Sequence, residues 1–231
     1  MKNEYLSLNT ACQAYIQTEP DVEHELAILF LDIRNFTGLM EAQPGQTVIH
    51  IVRRLFTAFN QIVKNFKGRV IEIAGDNLYA VFGLQTSLSE AANNAYQAAK
   101  TMFQTVTLFN EAYAESYNGG PLEIGVGMHA GKVFVGEFGL NGNKQLSVMG
   151  LPVNIAARLQ AKTKELDNDM LISEEAYSLL DTVGDSWGSQ TVTLQGISHG
   201  QQVRLAGKPY VNSLYLNTGA PELDYLLAIS G

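Results

Sequence analysis

Carboxylates in two short stretches carry the chemistry that this sequence offers most directly. "LAILFLDI" (26–33) is a continuous apolar run that ends at Asp32, and "IEIAGDNLYAVFG" (71–83) sets Glu72 and Asp76 about a small-residue corner. An ionised aspartate closing so apolar a run is costly to bury unless its charge is compensated. Asp76 falls at the turn end of a strand expected beside the Asp32 strand, so both side chains can reach one point; taken alone, it also reads as a turn residue after Gly75. Two aspartates without histidine or thiolate suit a hard cation such as Mg²⁺ or Mn²⁺. The turn after Asp32 brings Phe36, Thr37 and Gly38, whose backbone N–H groups can face an anion. Asn154 and Arg158, four apart in "VNIAARL", share one face of a helix.

The surrounding pattern supplies elements to hold these groups. The apolar run at 26–33 has the character of a strand buried on both faces. Val48, Val52, Leu55, Phe59, Ile62 and Phe66 recur at helical spacing, and Gly68 follows them. "RVIEI" and "LYAVF" are joined too tightly for a crossover, which requires an antiparallel hairpin. A second long helix spans about 88 to 113. "LEIGVGMHAGKVFVGEF" reads as two strands, "GLNGN" as a turn into a third, "KQLSVM", and Pro152 as the start of the "VNIAARLQAKTKEL" helix. A short helix near 174–181 and late strands "TVTLQ", "QVRLA" and "NSLYL" complete an α+β order, a sheet with helices packed on it. Residues 1–25 read as a short helix and a charged, proline-containing linker, 26–217 as one domain, and 218–231 as a tail.

At 231 residues and 46% apolar composition the chain can bury a substantial core, and a net charge of −8 disfavours nucleic acid and anionic membrane surfaces as partners. No run approaches a membrane span, and one cysteine, Cys12, excludes an internal disulfide; a soluble, cytoplasmic protein is the expectation. "GDSWG" matches a hydrolase elbow in letters, but a helix precedes it, a strand follows, and no acid separates Ser186 from His199. "GVGMHAG" opens no helix, and His24, His50, His129 and His199 lack metal-ligand spacing.

"LAILFLDIRNFTGL", "GRVIEIAGDNLYAVFG", "IGVGMHAGKVFVGEFG" and "SVMGLPVNIAARL" together resemble the catalytic domain of class III nucleotidyl cyclases, the adenylyl and guanylyl cyclases, collinearly from about residue 26 to residue 216. The resemblance implies a ferredoxin-like antiparallel sheet with packed helices, wrapped into a homodimer with shared sites. It also implies conversion of a nucleoside triphosphate into a 3′,5′-cyclic nucleotide and pyrophosphate, with two Mg²⁺ or Mn²⁺ per site. Asp32, Asp76 and the Ile33 carbonyl match the family's metal ligands; Asn154 would orient the ribose and Arg158 would stabilise phosphoryl charge in the transition state. Glu72 and Ser147 match the base-reading positions. A carboxylate accepts hydrogen bonds and a hydroxyl can donate, so the pair complements a ring N–H beside a carbonyl, as in guanine or uracil, and mismatches adenine.

Two departures qualify the match. Leu151 stands where the family has an aspartate, and Ala206 where it has the lysine that contacts triphosphate, leaving Lys208 or Arg204 as substitutes. An adenylate cyclase, or an inactive cyclase-like scaffold, is the alternative. The layout is also similar to the stand-alone pyrimidine cyclases of bacterial anti-phage defence, which implies a separate effector activated by the cyclic nucleotide.

Overall fold

The apolar run forms part of β1 (Val22–Ile33), the strand around which the sheet is built. The computed structural model describes residues 22–113, 121–138, 144–181 and 187–211; the expected leading helix, the 139–143 turn, Ser186 and the "NSLYL" strand lie outside them. After β1 come α1 (Phe36–Ala42), α2 (Gly45–Asn65), β2 (Gly68–Ala74), β3 (Asn77–Phe82), α3 (Leu88–Tyr113), β4 (Ile124–Phe138), β5 (Gln145–Met149), α4 (Leu151–Glu165), β6 (Met170–Ser173), α5 (Glu174–Tyr177), β7 (Ser189–Val192) and β8 (Gln201–Leu205). The strands make one mixed, mostly antiparallel sheet in the order β2-β3-β1-β4-β6-β8-β7, with β5 paired to β4.

Alternation along β1 divides the interior. Ala27, Leu29, Leu31 and Ile33 join the core that also holds Val48, Leu55 and Phe59 of α2 and the buried alanines 91, 92, 95, 98 and 99 of α3. Leu26 and Ile28, with Phe30 against them, belong to the opposite face, where Val153 and Ala156 of α4 pack. Burial on both faces explains why the run is apolar without interruption. The α2 pattern is amphipathic as expected, but the left-handed residue that ends it is Lys67 (φ 58°), and Gly68 already belongs to β2. A side chain at Gly68 would collide with the Phe82 ring.

Four details differ from the sequence reading. Val22–Glu25, read as linker, extend β1, because β4 is long enough to pair with them from Val22↔Val135 to Glu25↔Lys132. Residues 122–138, read as two strands, hold one continuous strand over 124–138, joined from 124 to 135 by that same twelve-pair ladder with β1. Phe36–Gly38, read as a turn, open the short helix α1. β6 was hidden in a four-residue apolar run; it pairs parallel with β4, and α4 supplies the crossover a parallel pair needs.

Glycines in β4 bring α4 close to the sheet. A Cβ at Gly127 would collide with the backbone nitrogen of Gln160 and stand 2.5 Å from the Ala156 carbonyl oxygen; one at Gly131 would stand 2.8 Å from the Pro152 ring. Gly127→Ala is therefore expected to push α4 outward and lower stability by about 3 kcal/mol, read as a reduced urea midpoint.

Beside these glycines, His129 is buried, with Nδ1 2.7 Å from the Ser173 hydroxyl and 3.7 Å from Glu175. Burial lowers its pKa to about 4 against a usual 6.5, with Glu175 opposing the shift. The unfolded chain therefore takes up the proton first as pH falls. Stability present above pH 6.5 should be lost toward pH 4, at roughly 1.4 kcal/mol per pH unit where the slope is greatest. Urea unfolding at several pH values checks this, and His129→Gln should flatten the dependence.

Candidate active site

Asp32 lies at the exit of β1, its backbone paired with Asn77 on one side and Gly125 on the other. Asp76 immediately precedes Asn77 at the β2–β3 turn, and the Ile33 N–H donates to the Asp76 carbonyl at 3.2 Å. The two aspartates thus occupy adjacent strand ends. The β1–β3 pairing brings them together, and the hairpin holds Asp76 at its end through a two-residue connection in which Gly75 takes a φ of 61°, the sign that twist-matched tight turns demand. Asp32 is only 5% exposed, and its Oδ2 lies 3.3 Å from the Lys164 ammonium at the end of α4.

The donor set at this corner fits a hard divalent ion: carboxylates from Asp32 and Asp76, and a backbone carbonyl at Ile33. Among the described residues there is no group of three or more His, Cys, Asp or Glu positioned for a metal. Such a corner would leave most coordination positions to water and ligand oxygens, the usual manner of Mg²⁺. The next turn begins α1. Asn35 enters it at φ 52°, no side chain caps it, and its ladder starts with Leu39 N–H donating to Asn35 O at 2.9 Å. Phe36, Thr37 and Gly38 are therefore its first-turn residues, whose N–H groups have no partner within the helix.

Behind Asp32 the sheet is polar. Gly125 has the Thr163 hydroxyl, the Tyr210 hydroxyl and the Gln160 amide each within 3.2 Å of where its Cβ would stand. Tyr210 is buried, which raises its pKa together with the Asp32 charge, and the Arg34 guanidinium lies 4.4 Å above its ring. No sequence signal pointed to Lys164, Thr163 or Tyr210. Lysine in a last helical turn normally reads as solvated charge favoured by the helix dipole.

Glu72 and Ser147 sit on β2 and β5, away from the aspartate corner. Glu72 pairs with Tyr79 just after a bulge at Ile71, and Ser147 pairs with Gly136. An open groove of about 300 Å³ lies between the two strands, lined by residues 69–71 and 144–146 together with Glu137, so Glu72 and Ser147 each stand one residue beyond its walls. Tyr79 ties the strands together: its ring stacks on Phe30 at 4.5 Å, and its hydroxyl donates to the Val148 carbonyl at 3.3 Å. Burial raises the Tyr79 pKa, and the Glu72 charge adds to the effect. Next to Ser147, on the same face of the β4–β5 pair, Phe134, Phe138 and Met149 are about half exposed.

Asn154 and Arg158 share a face of α4, and Arg158 Nη1 donates to the Asn154 carbonyl at 3.1 Å. A family model described as the adenylate and guanylate cyclase catalytic domain matches residues 18–211. The chain belongs to this family. An uncharacterized protein of Mycobacterium bovis is 30% identical over 186 residues, which is 80% of this chain but 31% of that protein. The cyclase chain here thus spans about a third of that relative's length. Among solved structures, the adenylyl cyclase CyaB from P. aeruginosa superposes with a TM-score of 0.72 at 22% identity, covering 84% of this chain and 98% of that one. The guanylyl cyclase Cya2 gives 0.72 at 22%, over 84% and 97%. At such identity these two establish the cyclase fold.

Within that fold the two candidates for the missing triphosphate lysine differ. Arg204 is engaged by Glu174 through two hydrogen bonds of 2.8 Å and lies 4.3 Å from the Tyr177 ring; those bonds hold the Glu174 carboxyl below its usual range. Two of its N–H donors are thus engaged within its own chain. Lys208 has an exposed side chain, and its backbone N–H donates to Asp169 at 2.7 Å. Asp169 in turn accepts the Val126 N–H at its carbonyl, next to the Gly125 that faces Asp32. Among the described residues no helix is long and apolar enough to cross a membrane.

Proposed function

We propose that this cyclase domain converts a nucleoside triphosphate with a lactam-edged base, GTP or UTP, into its 3′,5′-cyclic nucleotide and pyrophosphate. The observation that carries the reaction is the adjacency of Asp32 and Asp76 at one corner of the sheet. Two divalent ions held there by the aspartates and the Ile33 carbonyl would activate the ribose 3′-oxygen and neutralise the phosphates. Phe36, Thr37 and Gly38 offer N–H groups, and Lys208 a mobile cation, to the polyphosphate. Asn154 orients the ribose, and Arg158 meets the charge that develops at the α-phosphate; in other phosphoryl-transfer enzymes such an arginine is worth roughly 10³ to 10⁵ in rate.

Base choice rests on Glu72 and Ser147, which flank one groove. The carboxylate accepts from the ring N–H of guanine or uracil, while adenine would bring an acceptor nitrogen against it with no proton between. With all four triphosphates and Mn²⁺, mass spectrometry should show cGMP or cUMP formed faster than cAMP by roughly tenfold or more. Preferential turnover of ATP would refute the base reading, and no cyclic product from any nucleotide would favour an inactive scaffold.

The working unit is a head-to-tail homodimer. Support comes from Phe134, Phe138 and Met149, an exposed apolar strip beside Ser147 of the kind that marks an interaction face. In this arrangement Glu72, Ser147, Asn154 and Arg158 of one protomer serve a site whose Asp32 and Asp76 come from its partner. Asp32→Ala and Arg158→Ala proteins should each be inactive, and mixing them should restore part of the activity by rebuilding one intact site per heterodimer. Confirmed heterodimers without activity would count against shared sites.

A further inference from the structure

We infer that Lys164 is an internal counter-cation for Asp32, a placeholder that a divalent ion has to displace or repel before it can bind; this rests on the reading of Asp32 as a metal ligand. Asp32 is 5% exposed, and its Oδ2 faces the Lys164 ammonium at 3.3 Å, so a desolvated carboxylate is neutralised by a cation from α4. Surface ion pairs contribute little, but this one is set against a buried partner. The pairing is also asymmetric: the Lys164 side chain remains 30% exposed while the Asp32 side chain is 7% exposed. The lysine can therefore swing into water on its four-carbon stem, whereas the aspartate is fixed by its place in β1.

Both cations draw on one buried carboxylate, and their mutual repulsion in a medium less polar than water makes metal capture and Lys164 retention antagonistic. Without metal, Lys164 sets an opposite charge 3.3 Å from the Asp32 carboxylate at the strand end. Lys164 lies in the last turn of the helix that also carries Asn154 and Arg158, so release of its ammonium changes what anchors that end of α4. The sheet and α4 thus meet at a contact that the metal-bound state must loosen.

The test is a titration of the full chain with Mn²⁺ alone, at fixed pH and ionic strength, following the loss of the free-ion electron paramagnetic resonance signal. Asp32→Asn should abolish the binding seen in the unaltered protein. Lys164→Met, which keeps the length and removes the charge, should tighten Mn²⁺ binding by about fivefold or more, while Lys164→Arg should leave it near the original value. If Lys164→Met does not give a cooperative melt, Lys164→Gln makes the same comparison. Binding in Lys164→Met no tighter than in the unaltered protein overturns the inference while leaving Asp32 as a ligand. Binding that survives Asp32→Asn overturns the metal reading itself, and the inference with it.

Discussion

A charged carboxylate at the end of an otherwise apolar central strand is the constraint on which this molecule depends. β1 is buried on both faces, so its pairing partners and its covering helices have to be in place before Asp32 can be held where it is. The strand exits at Asp32, where the neighbouring chain segments cease to be purely apolar: Asn77 and Asp76 on one side, Gly125 with its ring of hydroxyl and amide groups on the other. Burial makes the charge expensive in isolation, so an opposite charge has to accompany it. Lys164 occupies that role within the chain itself.

The other parts of the site follow from how closely α4 is allowed to approach. Gly127 and Gly131 remove the side chains that would separate the helix from β4, and Pro152 at the start of the helix fits against the second of them. This seating fixes the direction in which α4 carries Asn154 and Arg158, and it brings the far end of the same helix to Asp32. One helix therefore carries Asn154 and Arg158 in its first half and, in its last turn, the Lys164 that meets Asp32. The exposed apolar strip on β4 and β5 lies on the same face as Ser147, which leaves that face of the sheet edge apolar and open.

Much of this was legible in the residues. The doubly buried strand, the two long helices and the tight hairpin were readable because each carries a local signal: apolar continuity, a 3.6-residue period, or a glycine where the chain has to reverse. That Asp76 stands at a strand end followed from the hairpin, since a connection so short leaves β2 and β3 no other arrangement; its place beside Asp32 comes from the pairing of β3 with β1. Where the reading fell short, the deciding information was not local. β4 looked like two strands because its glycines resemble breaks, yet a ladder with β1 keeps it continuous. Val22–Glu25 looked like linker because charge hides strand character when only one partner is present to pair with it.

The sequence by itself determined the strand that must be buried, the hairpin that puts Asp76 at a strand end, the amphipathic faces of the helices, and the carboxylates whose type suits a hard cation. Those properties are set within a few residues of one another, so composition and spacing suffice to read them. Only the tertiary structure decided which cation accompanies Asp32, that Arg204 pairs with Glu174, and that Tyr210 and Thr163 line the space beside Gly125. Each of these joins side chains from elements far apart in the chain, and such contacts arise from packing rather than from any pattern along it.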